Sequence, residues 1–104
     1  MLKDSVRIND LLAWYGSLLT DNQKKIMLSY YGADLSLSEI ADNNDVSRAA
    51  IFDTIKRSKE LLNSYEEKLQ IVKKFKQRSQ QYDLLKKLNI EKVNEIVLEL
   101  ERIE

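Results

Sequence analysis

Ser47 and Arg48 stand together just ahead of an apolar-periodic stretch, and Lys56 and Arg57 follow about two turns on. These residue types suit gripping a polyanion rather than breaking a bond. A guanidinium at Arg48 can bond guanine O6 and N7 bidentately. The Ser47 hydroxyl, with the free amides at a helix start, can hold a phosphate. Lys56 and Arg57 suit phosphate contacts further along. Ser36 and Ser38 could hold the adjoining backbone, and Ala49 could touch a thymine methyl. Phe52 and Asp53 complete the outward set. Phe52 admits three readings: packing on the N-terminal helices, contact with a thymine methyl, or a protein-binding surface. Asp45 and Asp53 bring negative charge to the same face and oppose nucleic acid.

Other chemistry lacks its parts. The 104 residues include no His, no Cys and no Pro. That removes the commonest catalytic base, the thiol nucleophile and the usual zinc ligands. Asp42 with Asp45, and Glu66 with Glu67, are carboxylate pairs at helix starts or joints. Without His or a glycine-rich loop they read as caps and dipole partners. No phosphate-cradling loop is present. The expectation is therefore a non-enzyme with no cofactor and no metal.

Net charge is zero but unevenly spread. Residues 1–47 carry four basic and seven acidic side chains, residues 48–88 eleven and five, and residues 89–104 two and five. A middle of +6 between ends of −3 favours an anionic partner at one surface, or simply solvates helix faces. The run Lys68, Lys73, Lys74, Lys76 and Arg78 contains no acid and forms a secondary basic face. It could bind nucleic-acid phosphates, RNA included, or be a solvated helix face. No apolar stretch nears a membrane span and MLKDSVRIND is no signal peptide, so cytoplasm is the default compartment.

The elements that must position these residues are helices, because two Gly and no Pro leave little turn chemistry for a many-stranded sheet. Asp4 can cap a helix over 5–19, its apolar positions running from Val6 to Leu19. Gly16 inside it suggests a close helix contact. Thr20 with Gln23 is a capping box opening a helix to Tyr31, which Gly32 should end in the left-handed conformation. Trp14-Tyr15 and Tyr30-Tyr31 could stack on bases, but at helical spacing they read as core. Ser36 with Glu39 is a second box, opening a helix over 37–43. Asn43, Asn44 and Asp45 can turn the chain without Gly. Ser47, with Val46 and Ile51 as staple, caps a helix from Arg48 to Leu62, with Ala50, Ile51, Ile55 and Leu61 or Leu62 inward. Asn63 makes a joint, and Ser64 with Glu67 is a third box opening a helix over 65–87. Asn89 can cap a last helix over 90–103, whose Ile90, Val93, Val97 and Leu100 form a narrow seam that wants a partner.

Residues 37–56, LSEIADNNDVSRAAIFDTIK, carry the organisation. Two short helices meet across three polar residues. Small Ala41 permits a steep crossing, Val46 plugs the turn, and Ile51 faces back onto the first helix. That is helix-turn-helix geometry, with the second helix's first turn exposed. The remaining reading is a helical hairpin that docks protein instead of duplex.

This segment resembles region 4 of bacterial sigma factors, and more closely the YlxM family of small bacterial proteins. LLAWYGSLLTDNQKKIMLSYYGADLSLSEIA, DVSRAAIFDTIKRSKELL and YEEKLQIVKKF carry the resemblance, from the N-terminus through about Leu88. It implies an all-α fold with a sigma-region-4-like module. It carries DNA-facing roles to Ser47, Arg48 and Lys56, with Phe52 where the family tends to have Tyr. Family genes typically neighbour that of the signal recognition particle's GTPase, which implies a link to that pathway, with the GTPase or its RNA as partner. The resulting expectation is a helix-turn-helix domain at 1–64, motif at 37–56, and a C-terminal extension at 65–104, a long helix then an amphipathic one. That extension should pack or dimerise. Double-stranded DNA is the expected partner; a helical adaptor on signal recognition particle components is the alternative.

Overall fold

The computed structural model describes residues 4–104, and every regular element among them is helical. The elements are α1 (Ser5–Tyr15), a 3₁₀ turn (Gly16–Leu18), α2 (Asp21–Met27) running into a π-helical turn (Leu28–Gly32), α3 (Leu37–Asn44), α4 (Arg48–Leu69), α5 (Ile71–Lys87) and α6 (Glu91–Ile103). The chain forms two compact units, residues 1–72 and residues 73–104.

In the first unit, α4 packs against α1, α2 and α3. Ile8, Leu11, Tyr15, Met27, Ile40, Ile51 and Leu62 are almost wholly buried in one cluster. Removing this apolar surface from water drives the assembly. Tyr31 lies in the same core, and Trp14 and Tyr30 pack partly buried against it, so the aromatic pairs are core. Of the expected inward positions Val6, Leu18 and Ala50 are exposed instead, and Leu62 rather than Leu61 is buried.

Capping works as the residue types dictate. Thr20 with Gln23 and Ser36 with Glu39 form reciprocal boxes, and the Ser47 hydroxyl accepts from the Ala50 amide at 3.0 Å. Asp4 occupies a cap position without a side-chain bond.

Helix ends depart from expectation in a consistent way. The left-handed residues are Asp34, Asp45, Gln70 and Asn89, and neither Gly has positive φ. Gly32 ends the π turn, and Asp34, two residues later, takes the positive φ. At Gly16 an added Cβ would meet only the Lys24 Cε, at 3.7 Å, so no close helix approach demands glycine. The first helix stops at Tyr15 rather than Leu19. Asn89 is the left-handed residue closing α5 and does not cap α6, whose cap position is Ile90.

The largest departure is at 63–64. No joint forms: α4 continues through Asn63 and Ser64 to Leu69, and Ser64 opens no helix. The break comes at Gln70, where three bonds close it, two of them long-range. The Tyr15 hydroxyl donates to Glu66 Oε1 at 2.5 Å, the Ile71 amide donates to the Tyr15 oxygen at 3.1 Å, and the Val72 amide donates to Glu66 Oε1 at 3.0 Å. Two orphan amides at the start of α5 are thus satisfied by side chains from α1 and α4. Burial, then the Glu66 carboxylate, pushes the Tyr15 phenol above its usual range.

In the second unit α5 and α6 run antiparallel. Arg78 and the Tyr82 hydroxyl both bond Glu104, and Lys86 pairs with Glu101 at 2.9 Å. Val97 is buried, but its seam partners Ile90 and Leu100 are substantially exposed.

Candidate nucleic-acid interface

The turn between α3 and α4 sets the site. Asp45 adopts φ 54° and ψ 42°, the left-handed conformation that a short Asp side chain tolerates. The Val46 amide donates to the Ala41 carbonyl at 3.1 Å and the Asp45 amide to the Asp42 carbonyl at 3.4 Å, a Schellman pattern made without glycine. Asn44 Nδ2 donates to the Ile40 carbonyl at 2.7 Å and secures a further carbonyl. Ala41 and Ile51 are both buried in the shared core, and α3 packs against α4. Val46 does not plug the turn: it is 46% exposed.

This arrangement leaves the head of α4 in solvent. Ser47, Arg48, Ala49, Phe52, Asp53, Lys56 and Arg57 are all exposed, as are Ser36 and Ser38. The first amides of a helix have no intrahelical partner, so this end carries partial positive charge. Ser36 and Ser47 use an oxygen lone pair as a cap, which leaves each O–H free in principle to donate. Asp53 stands differently from its expected contact role. It pairs with Arg57 at 3.0 Å on the outer face, offsetting part of that cation's charge. The pair is well exposed and contributes little to stability.

The secondary basic face is uneven. Lys68, Lys73, Lys74 and Lys76 are exposed, whereas Arg78 is partly buried in its bond to Glu104. No group of three or more carboxylates could hold a metal ion among the described residues, and no described helix is long and apolar enough to cross a membrane.

A feature the sequence reading missed lies beside the site. Phe52, Lys56, Lys59 and Asn63 edge a cavity of about 320 Å³ whose other walls include Tyr30 and Leu37. The signal was available: 52, 56, 59 and 63 recur at helical spacing on one face of α4. Tyr30 was harder to foresee, since it comes from the π-helical turn. The Tyr15–Glu66 closure was also missed; it joins residues 51 apart in sequence and leaves no local signature.

Short α3 packed on the longer α4 across a left-handed turn at Asp45, with α4 capped by Ser47 and its first turn in solvent, defines a helix-turn-helix protein of all-α fold. The chain belongs to the UPF0122 family, whose description, "Putative helix-turn-helix protein, YlxM / p13 like", matches residues 2–102. A UPF0122 protein of Bacillus velezensis is 43% identical over 108 residues, covering 99% of this chain and 98% of that protein. UPF0122 protein YlxM of Bacillus subtilis is 47% identical over 87 residues, 84% of this chain and 79% of that one. A Halalkalibacterium halodurans relative is 49% identical over 86 residues, 83% and 79% of the two chains. The family match runs past Leu88, so the C-terminal helices belong to the family pattern too.

Proposed function

We propose that this protein is a DNA-binding regulator that lays the first turn of α4 in a major groove. The observation that carries this reading is the exposed Ser47–Arg48–Ala49 end of a helix anchored by Ile51 in the core that also buries Ala41. Arg48 reads guanine, Ala49 meets a thymine methyl, and Lys56 and Arg57 take phosphates. Ser36, Ser38 and Ser47 fix the register on the backbone.

The second unit, residues 73–104, acts as the packing and dimerisation part after the helix-turn-helix unit. Support comes from the apolar residues left in solvent on the last two helices and the turn between them, Leu84, Leu88, Ile96 and Ile103 among them. A homodimer would present two recognition helices to paired half-sites.

The test is a fluorescence-anisotropy titration with genomic DNA fragments at two salt concentrations. The expected result is binding that weakens steeply with salt. No binding at low salt, or binding indifferent to salt, overturns the reading.

A second reading is a helical adaptor on signal recognition particle components, protein or RNA. It is favoured by the exposed Lys68, Lys73, Lys74 and Lys76 with no acid among them. Co-purification with the particle after nuclease treatment distinguishes it.

A further inference from the structure

The cavity beside α4 combines three features that DNA binding does not need. Its walls are apolar, from Tyr30, Leu37, Phe52 and Ile55, yet Phe52 is 59% exposed at the lip. A large aromatic left half in water next to an open apolar hollow of about 320 Å³ has the size and character of a ligand site. Second, Lys56 and Lys59 stand on its edge and make no ion pair among the described residues; Glu60 is the one acid lining it. Third, Asn63 is among its lining residues, and the Asn63 side-chain oxygen is buried without a hydrogen-bond partner. Buried acceptors are rarely left so.

These features specify an occupant. It must bring a bulky apolar group, a hydrogen-bond donor close to that group, and negative charge around it. Tryptophan supplies the first two at once, since its indole buries a large surface and carries a single N–H donor. Flanking carboxylates would meet Lys56 and Lys59. We propose that this groove docks an acidic segment of another protein by inserting one Trp side chain, the indole N–H donating to Asn63 Oδ1. The π-helical turn at Leu28–Gly32 serves this site by presenting Tyr30 and Tyr31 to the cavity, in line with the frequent use of such turns at functional positions. The proposal goes beyond DNA recognition and does not depend on it. The two activities share Lys56, so a docked segment and a bound duplex compete.

The test uses the full ¹⁵N-labelled chain and a blocked twelve-residue peptide, one central Trp flanked by glutamates. Two control peptides carry Ala for the Trp, or Gln for every Glu. The expected result is a saturable shift of the Asn63 side-chain amide resonances with the Trp peptide, and at least tenfold weaker binding of both controls. Lys56→Glu with Lys59→Glu, both on the outside of a helix, should also weaken binding tenfold or more while leaving the rest of the spectrum in place. No shift at Asn63 up to millimolar peptide overturns the proposal. So does binding unchanged by the double charge reversal, or by loss of the Trp. A short duplex that shifts Asn63 where the peptide does not would assign the groove to nucleic acid and equally overturn it.

Discussion

Residues 1–72 bury Ile8, Tyr15, Met27, Ile51 and Leu62 almost completely, whereas residues 73–104 bury only Tyr82 and Val97 among their described apolar side chains. Both regions are helical and both carry many charges. The difference is the number of helices available to cover each apolar face. In the first unit α4 is covered on several sides, by α1, α2 and α3. In the second, two helices can cover only one stripe of each other. Ile96, Leu100 and Ile103, spaced four and three apart on α6, flank that stripe and remain in solvent. The first unit therefore has a core able to hold a site in fixed geometry. The second has a surface that calls for a partner, which is why dimerisation is proposed there.

The sharpest break of this contrast is truncation in each core. Ile51→Ala should destabilise the chain by about 3 kcal/mol, the middle of the range for deleting buried aliphatic groups. Urea denaturation followed by circular dichroism reads this. Val97→Ala removes less apolar volume from a thinner core and should cost about 1 kcal/mol, with a midpoint that depends on protein concentration if the second unit is dimeric. Equal losses for the two variants would erase the distinction between the units. Leu88→Glu with Ile96→Glu should convert a sedimenting dimer to monomer while the urea midpoint of the first unit moves little.

The next effect concerns the site that the first unit positions. Arg48→Ala should weaken DNA binding by about 1–3 kcal/mol and relax preference at one base pair. Lys56→Ala should weaken it nearly uniformly and lower the salt slope by about one. Asp53→Asn, by freeing Arg57 and removing a repulsive carboxylate, should tighten binding. Anisotropy titrations at several salt concentrations separate the three outcomes.

Tyr15 tests the closure that only the first unit has. Tyr15→Phe strips the Ile71 amide and Glu66 of a partner and should cost about 1–2 kcal/mol. The wild-type closure also sets a pH limit. Burial and Glu66 raise the folded phenol above the unfolded value of about 10. The neutral form is the favoured one in the fold, so its contribution is complete below about pH 10 and is lost as pH rises through the folded value. Stability measured across that range in wild type and Tyr15→Phe should converge at the alkaline end.

What was legible in the residues follows from the range of the interactions. Ser36 with Glu39, Thr20 with Gln23 and the Ser47 cap are local, three residues wide, and each forms as its residue types require. The burial of Ala41 and Ile51 was also readable, because size and periodicity suffice to specify it. The end of α4 was not. A capping box at Ser64 and Glu67 is as good locally as the two that form, but Leu62 is wholly buried and α4 keeps packing beyond it. Tertiary burial overrides a local cap contributing about 1 kcal/mol. The groove lay between these cases. Its α4 edge was visible as a stripe, while its far wall depends on a π-helical turn.

Gln70 offers the finest distinction, between a helix end made by local chemistry and one imposed from outside. Asp45 and Asn89 are left-handed with short side chains that can bond their own backbone; Gln70, at φ 55°, has no such compensation. Its conformation is held by the Tyr15 and Glu66 bonds that follow it. Gln70→Gly removes the Cβ cost and should therefore stabilise the chain by about 0.5–1 kcal/mol. Asp45→Gly should gain less, since Asp already suits the position. If both variants gained equally, side-chain chemistry would be irrelevant to these turns, and the contrast between a local turn at 45 and an imposed break at 70 would fail. In the Tyr15→Phe background the gain from Gln70→Gly should shrink, because a glutamine no longer held left-handed can relax and has less strain for glycine to relieve.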